Sequence, residues 1–544
     1  MRKTIIIGLD GATFGVLDPY MKAGELPNIK RMCDSGFRGE LRSSIPPVTG
    51  PSWVSFLTGK NPGKHGIFDF VRAGENELRR QPVNYRHIRS KTILNLANEA
   101  GRKVGIVNMP LTYPPPEIDG FVVTGLLTPG DAKNISYPAG LIDELNGKMG
   151  PYRMDVLWQF YGEAGVEKFL DEVLLLTEQR CKVFEHLMEE KEWDLFIAVF
   201  IGSDRIQHFL WKYIHPEDPG KLTAAEKRFV SRIKEYYRMV DRYMGMVLER
   251  YGKDCNILMV SDHGFGPLEK KFYINRWLFE KGYLSLNNAG GGVIGKGIAY
   301  ARKAIRRLDR TNVRRLIPAG IRARKGFDLF SSMNMPLTRA YSASNTEQGI
   351  YLNLKGREPG GVINPGQEYE LLRDEIIREL RRLRDPQTGE EVISQIHKRE
   401  DIYTGPYVTG SPDIIFFVQE GAYLADVHLK TSVFGDADWA SGWGTHRMDG
   451  IVLGCGPDIK KGERIDGAHI MDIAPTVLRL MEIPVPYDMD GKVLNNIIEN
   501  EFLAAHREEF ADDKGLVIDS GADSVLSEDD KEEVANRLKG LGYL

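Results

Sequence analysis

Four cysteines are spread through 544 residues, at positions 33, 181, 255 and 455, and none has Cys-x-x-Cys spacing. Their scarcity excludes a disulfide-framed scaffold and a cysteine zinc knuckle, and fits free thiols in a reducing compartment. Long apolar runs are missing too: nothing approaches the ~18 consecutive apolar residues that span a bilayer. The opening stretch Met-Arg-Lys-Thr-Ile-Ile-Ile-Gly-Leu-Asp is basic and then apolar, but Asp10 ends the run too early for a signal peptide. It reads as a first buried strand, and a cytoplasmic location is the expectation. Excess charge of one sign is also lacking. Lys+Arg at 72 against Asp+Glu at 76 leave −4, which gives no global nucleic-acid footprint. What is present is ordinary globular material, 42% hydrophobic and 27% charged, enough for a sizeable core and unlike a disordered or collagen-like chain. The length predicts three to four domain-sized units, or one large α/β unit with insertions.

Short apolar runs bounded by Gly, Asp and Ser recur: Thr4–Leu9, Lys103–Asn108, Asp194–Ile201, Asn256–Val260, Asp413–Val418 and Gly450–Leu453. Such runs mark strands covered on both faces. Between them, Val166–Glu190 and Arg228–Tyr251 place apolar residues at helical spacing. Strands alternating with helices predict a largely parallel sheet in a layered α/β fold, with ligands expected past the carboxyl ends of the strands. The expected organisation is a catalytic core in two parts, 1–284 and 346–500, an inserted cap or lid at 285–345, and a polar tail at 501–544. Within the insertion, 296–325 holds eleven Lys/Arg against Asp309, a net +10 that leaves −14 on the rest. Ile298, Ala301, Ile305 and Leu308 share one helix face there, with arginines opposite. That segment is a solvated basic helix or a surface for anionic lipid, a phosphate-rich substrate or nucleic acid. In the tail, Ser527-Glu-Asp-Asp530 matches a capping box, and Val534, Leu538 and Leu541 form one helix face, with no visible chemistry.

The residues that carry chemistry follow the strand-like runs. Asp10 ends the first; Asp204 and His208 follow in Gly-Ser-Asp-Arg-Ile-Gln-His; Asp262 and His263 follow in Ser-Asp-His-Gly-Phe-Gly; His446 precedes Gly450–Leu453. Asp204 and His208 are four apart, so one helical turn puts both on one face. Three Asp and three His form a mixed O/N donor set that suits Zn²⁺, or less often Mn²⁺, better than Mg²⁺ alone. Six ligands exceed one tetrahedral zinc but fit two neighbouring ions. Thr49 stands between Pro47 and Pro51, beside Gly50, ahead of a helix expected to begin near Ser52. Its hydroxyl is a poor nucleophile alone, but a divalent cation would favour its ionised form.

Taken in order, these stretches resemble the type I phosphodiesterase/nucleotide pyrophosphatase branch of the alkaline phosphatase superfamily. The resemblance rests on Ile-Gly-Leu-Asp-Gly-Ala at 7–12, Pro-Pro-Val-Thr-Gly-Pro-Ser-Trp at 46–53, Leu-Thr-Gly-Lys-Asn-Pro-Gly-Lys-His-Gly-Ile at 57–67, the motifs at 202–208 and 261–266, and Gly-Thr-His-Arg-Met-Asp-Gly at 444–450. The segments 472–478 and 489–494 resemble the superfamily's closing stretch, so the match runs over roughly residues 3–495. It implies an alkaline-phosphatase-like α/β/α core with a mainly parallel sheet and an inserted cap. It also implies a phosphoric ester hydrolase, phosphodiesterase or nucleotide pyrophosphatase, acting on a small phosphate-ester substrate. By this comparison Asp204, His208 and His446 hold one zinc. Asp10, Thr49, Asp262 and His263 hold the other, and Thr49 is the nucleophile of a two-step displacement through a phospho-threonine. His65 falls in a structural turn and Asp472 at a helix cap.

One position departs. Phe70 stands where nucleotide pyrophosphatases of this type carry an asparagine that binds a phosphoryl oxygen, so nucleotide preference does not follow. Arg205 and Arg447 are the alternatives for that oxygen, or are surface and supporting residues. A phosphomonoesterase, phosphonate or sulfate ester hydrolase on the same fold is the neighbouring reading, although the sulfatase Cys/Ser-x-Pro-x-Arg signature is absent. A phosphoglycerate-mutase-like isomerase uses serine where Thr49 stands. A non-catalytic protein binding anionic surfaces through the basic segment is the alternative of another class.

Overall fold

The computed structural model describes residues 2–74, 78–156, 162–214, 216, 218–287, 329–439, 441–512, 522 and 525–543. The basic segment 296–325 therefore lies outside the described residues.

A nine-stranded sheet forms the centre. Its strands run in the order Glu463–His469, Phe37–Arg42, Asp449–Cys455, Cys255–Val260, Lys3–Leu9, Leu195–Phe200, Val104–Met109, Gly120–Thr124 and Ser136–Tyr137. The five from Cys255–Val260 to Gly120–Thr124 are mutually parallel. Asp449–Cys455 runs against both its neighbours, and Ser136–Tyr137 against its one. Leu195–Phe200 and Cys255–Val260 are buried at every residue, the pattern expected of strands covered on both faces. The covering helices include Gly162–Glu190 and Ala224–Tyr251. The second starts at a reciprocal cap: Glu226 N donates to Thr223 Oγ1 at 3.2 Å, and Thr223 N to Glu226 Oε2 at 3.0 Å. Its buried stripe runs through Phe229, Ile233, Tyr236, Tyr237, Val240, Met244 and Val247.

A second hydrophobic core lies outside this sheet, from Phe272 to Val427. It holds a four-stranded antiparallel sheet in the order Ala340–Tyr341, Gly349–Leu352, Ile414–Val418 and Ile393–Lys398, packed by the helix Gln367–Arg381. The main sheet resumes only at Asp449. The 413–418 run is thus a buried strand, but of this antiparallel sheet and not of the parallel one. A continuous apolar run reports burial and carries no information on strand direction. No helix among the described residues is long and apolar enough to cross a membrane.

Strand registers bring one edge of the main sheet into line. Leu9 pairs with Phe200 and Gly8 with Val260, so the three central parallel strands end level. Asp449–Cys455 is antiparallel and begins at that same edge. Phe37–Arg42 also finishes there, with Arg42 opposite Asp449.

Candidate active site

The six expected ligands and Thr49 all emerge at this edge. Asp10 follows its strand directly. Asp204 and His208 lie on the first turns of the helix Gly202–Ile214, on one face as their spacing requires. Asp262 and His263 occupy the turn after Cys255–Val260. His446 comes from the short strand Gly444–Arg447, opposite Phe265 of Gly264–Pro267. Thr49 opens the helix Thr49–Thr58, three residues earlier than expected. Pro51 falls within that first turn, where a missing N–H costs nothing.

Backbone ties fix these turns to one another. Ser203 Oγ donates to the Asp10 carbonyl at 2.6 Å, Gln207 Nε2 to the Gly11 carbonyl at 2.7 Å, and Ser43 Oγ to the Asp262 carbonyl at 2.6 Å. Gly11 N donates to Asp262 Oδ1 at 3.1 Å. Gly11 has φ +68°, and a Cβ there would lie 2.9 Å from Phe265 Cδ2, so glycine is required.

The functional atoms converge. His208 Nε2 and His446 Nε2 are 2.9 Å apart, and each stands close to Asp204 Oδ1, at 3.4 and 3.5 Å. His263 Nε2 lies 3.3 Å from Asp262 Oδ2, 3.7 Å from Asp10 Oδ1 and 3.2 Å from Thr49 Oγ1. The rings of His263 and His446 stack at 3.7 Å. Among the described residues, two groups have all ligand atoms within 4.8 Å: Asp10, Asp262 and His263, and Asp204, His263 and His446. His263 belongs to both, so it stands at the junction of the two expected ligand sets.

Three carboxylate oxygens at this centre, Asp10 Oδ1, Asp204 Oδ1 and Asp262 Oδ2, are fully buried and accept no hydrogen bond. Burying such oxygens unpaired is costly, and each is one of the atoms that face an imidazole Nε2. The imidazoles are set in the ligand tautomer. His446 Nδ1 donates to the Pro47 carbonyl at 2.8 Å and His263 Nδ1 to the Gly264 carbonyl at 3.0 Å, which leaves the Nε2 lone pairs directed inward. Orphaned oxygens and inward lone pairs together fit divalent cations, and a mixed O/N set suits zinc.

The electrostatics agree. Burial, with the charges of Asp262 and Asp204 adding, holds the Asp10 carboxyl well above the usual range. Burial pushes Asp262 up to about 8. Burial opposes ionisation of Asp204 as well, but His208, His446 and Arg205 outweigh it and hold the group well below the usual range. Burial keeps His263 and His446 neutral, the form that binds metal.

Other expected residues fall into supporting places. His65 is fully buried away from the cluster, with Nε2 3.0 Å from Ser55 Oγ. Asp472 accepts from His469 N at 2.8 Å and Lys492 N at 2.9 Å, capping the turn that leads into the helix Ile473–Leu480. Arg447 spends its guanidinium on the carbonyls of Gly421 and Pro267, both at 2.6 Å. Arg205 stands behind Asp204, donating to its Oδ2 at 2.5 Å and to Asp155. Phe70 is buried beside Gly50 and Tyr543.

Two side chains were not read from the sequence as site residues. Trp53, one turn along the Thr49 helix, donates from Nε1 to Asp10 Oδ2 at 3.2 Å; its i+4 spacing from Thr49 was the available signal. Tyr543 donates from Oη to Asp204 Oδ2 at 3.0 Å. The contact ties the tail to the cluster, and no local sequence feature marks it.

The fold is alkaline-phosphatase-like, with the candidate site at the edge where the central parallel strands end. Phosphonoacetate hydrolase from Sinorhizobium meliloti 1021, solved with phosphonoformate, is similar at a TM-score of 0.52 and 16% identity, over 87% of this chain and 94% of that one. Human ectonucleotide pyrophosphatase/phosphodiesterase 5 gives 0.46 and 13%, over 92% and 100%. The chain belongs to the type I phosphodiesterase/nucleotide pyrophosphatase family, hydrolases of phosphoric ester bonds, whose model matches residues 4–443. That match takes in every candidate ligand except His446, which lies just past its end.

Proposed function

We propose that this phosphoester hydrolase acts through a two-cation site, with Thr49 as nucleophile and a covalent phosphoryl-threonine as intermediate. The observation that carries the reading is the trio of buried, unpartnered carboxylate oxygens facing imidazole Nε2 atoms, with the Thr49 hydroxyl 3.2 Å from one of them. Asp204, His208 and His446 would hold one divalent cation and Asp10, Asp262 and His263 the other, with His263 also adjoining the first; the donor set favours Zn²⁺. Such a pair, when bound, supplies Lewis-acid activation of hydroxyl, water and leaving oxygen at neutral pH.

The chain's own residues do the positioning. The helix Thr49–Thr58 presents Oγ1 at its first residue, so the attacking atom sits at the positive end of the helix dipole, where an anionic phosphoryl group is favoured. In the first step the Thr49 Oγ1–H bond breaks and the Oγ1–P bond forms, the bond from phosphorus to the leaving oxygen breaks, and the proton given up by the hydroxyl is balanced by the one the leaving alcohol takes up. In the second, a water oxygen bonds to phosphorus, the Oγ1–P bond breaks, and Thr49 regains its hydroxyl. Trp53 and Arg205 keep Asp10 and Asp204 from rotating between steps. Phe70 offers no hydrogen bond to a phosphoryl oxygen, so that oxygen is held by a group other than the asparagine of nucleotide pyrophosphatases.

The test compares zinc-loaded wild type and Thr49→Ala on an aryl phosphodiester, monoester, phosphonate and sulfate, with acid-quenched samples analysed by mass spectrometry. The expected result is fastest turnover of the diester, a phosphoryl adduct on the Thr49 peptide of wild type, and no turnover by Thr49→Ala at full metal content. Turnover by metal-replete Thr49→Ala within tenfold of wild type would overturn the nucleophile assignment.

A further inference from the structure

Tyr543 lies far from every sequence motif of the site, yet its side chain is 1% exposed and touches three members of the cluster. We infer that Tyr543 is a positioning residue for the cation assigned to Asp204, His208 and His446, and that the segment 525–543 thereby completes the active site. The inference rests on the two-cation reading above.

Hydrogen-bond polarity sets the direction of the effect. Arg205 Nη1 lies 3.0 Å from Tyr543 Oη, and a guanidinium can only donate. The phenol oxygen therefore accepts from Arg205 and turns its single hydrogen toward Asp204 Oδ2, 3.0 Å away. Arg205 donates to that same Oδ2 at 2.5 Å. Two donors on one oxygen fix the rotation of the carboxylate. The other oxygen, Oδ1, is left without a protein donor and aimed between His208 and His446.

The ring acts on the same ligands. It meets the His208 ring nearly edge-on, with centroids 5.5 Å apart and planes at 77°, and lies 6.0 Å from His446. Its other side packs on Phe70 at 4.7 Å. Asp10 and Asp262 are held differently, by Trp53 and by the Gly11 amide, so the effect of Tyr543 is confined to one of the two cations.

The segment is built to deliver this side chain. The helix Glu528–Gly540 starts at the expected capping box, with Asp530 N donating to Ser527 Oγ at 3.1 Å. Val534, Leu538 and Leu541 bury in the cluster that also holds Val48 and Val54, which flank Thr49 on its own helix and approach. Arg537 Nη1 donates to the Thr128 carbonyl at 2.7 Å, and Gly130 N to Glu533 Oε2 at 3.0 Å.

Tyr543→Phe keeps the ring and removes the hydroxyl. Full-length wild type and variant are stripped of metal and titrated with Zn²⁺ against a chelator of known affinity, with bound metal counted by mass spectrometry and thermal midpoints recorded without metal. We expect two equivalents on wild type. In Tyr543→Phe one site weakens by roughly 10- to 100-fold, the usual effect of losing a ligand's hydrogen-bond partner, while the other is unchanged. Activity of the variant should return at saturating Zn²⁺, while the lost buried hydrogen bonds lower its metal-free thermal midpoint modestly. Two affinities within twofold of wild type would overturn the inference, with or without a lowered thermal midpoint, since a lowered midpoint alone marks a packing role. Equal weakening of both sites would overturn it as well. Wild type holding fewer than two equivalents would instead overturn the two-cation reading, and this inference with it.

Discussion

The Thr49 hydroxyl donates to His263. The two atoms are 3.2 Å apart, and His263 Nδ1 is already committed as a donor to the Gly264 carbonyl, so Nε2 is the acceptor. The hydroxyl proposed as nucleophile is thus turned toward the cluster by an imidazole that belongs to both candidate ligand groups. Thr49→Val keeps the shape of the side chain and deletes this donor. The expected outcome is a loss of activity of at least ~10³-fold, as for removal of a nucleophile. Stability should change by only about 0.5–1.5 kcal/mol, the net worth of one hydrogen bond. Rates on an aryl phosphodiester and denaturant unfolding check both. A variant that retains a tenth of wild-type activity would contradict it.

Asp262 is expected to oppose stability while serving metal binding. Burial drives its pKa up to about 8, and its Oδ2 has no hydrogen-bond donor. Asp262→Asn preserves an acceptor for the Gly11 amide and removes the charge. Without metal, the variant should melt at or above the wild-type temperature at pH 8 and beyond, where wild type carries the buried charge. With zinc the order should reverse, because cation binding stabilises only the protein that holds the site. Calorimetric scans of both proteins, with and without metal, read the crossover. Parallel shifts in the two conditions would refute it.

Much of the frame of this site is written locally. Leu195–Phe200 and Cys255–Val260 are legible because strands covered on both faces are apolar at every position. Asp204 and His208 declare their shared face through i,i+4 spacing. Phe37–Arg42 is harder to read, because charged and polar residues interrupt its burial, and Glu463–His469 at the sheet edge is mostly exposed. Tyr543 could not be read at all: its partner Asp204 is 339 residues away. In the sequence Arg205 is open between binding an oxygen and a supporting place, because its partner Asp155 meets it only in the folded chain, which puts it in the supporting place.

Gly8 supports Asp10 from below. A Cβ at this position would lie 2.7 Å from Trp53 Cη2 and 2.9 Å from Val199 Cγ2. Trp53 is fully buried and holds Asp10 Oδ2 through its indole N–H. Gly8→Ala therefore overpacks the strand and pushes the indole off its acceptor. A destabilisation of about 1–3 kcal/mol is expected, typical of inserting one methyl into a close-packed core. Zinc affinity should fall at the Asp10 side of the cluster and not at the Asp204 side. Chemical denaturation and zinc titration test the two parts separately, and unchanged zinc binding would show that Trp53 does not position Asp10.

His65 provides the contrasting case of a histidine that serves the fold alone. It is fully buried, its Nδ1 accepts from Ile67 N at 3.2 Å, and its Nε2 consequently donates to Ser55 Oγ at 3.0 Å. Burial, aided by the charge of Lys60, lowers its pKa to about 3. The unfolded chain takes up a proton near pH 6.5, the ordinary value for histidine, whereas the folded chain does not until about pH 3. Between those limits the unfolded state binds more protons, so the contribution of His65 to stability falls as pH falls, at roughly 1.4 kcal/mol per pH unit. His65→Asn keeps an acceptor for Ile67 N and cannot be protonated. At pH 8 it should be less stable than wild type by about 1–3 kcal/mol, from the lost bond to Ser55 and the lost packing. That deficit should shrink steadily below pH 6.5 and can reverse by pH 4, as wild type loses what the variant never had. Zinc content should stay at two equivalents throughout the neutral range. A deficit independent of pH would mean that His65 is not held neutral by burial, and loss of zinc would place it among the ligands after all.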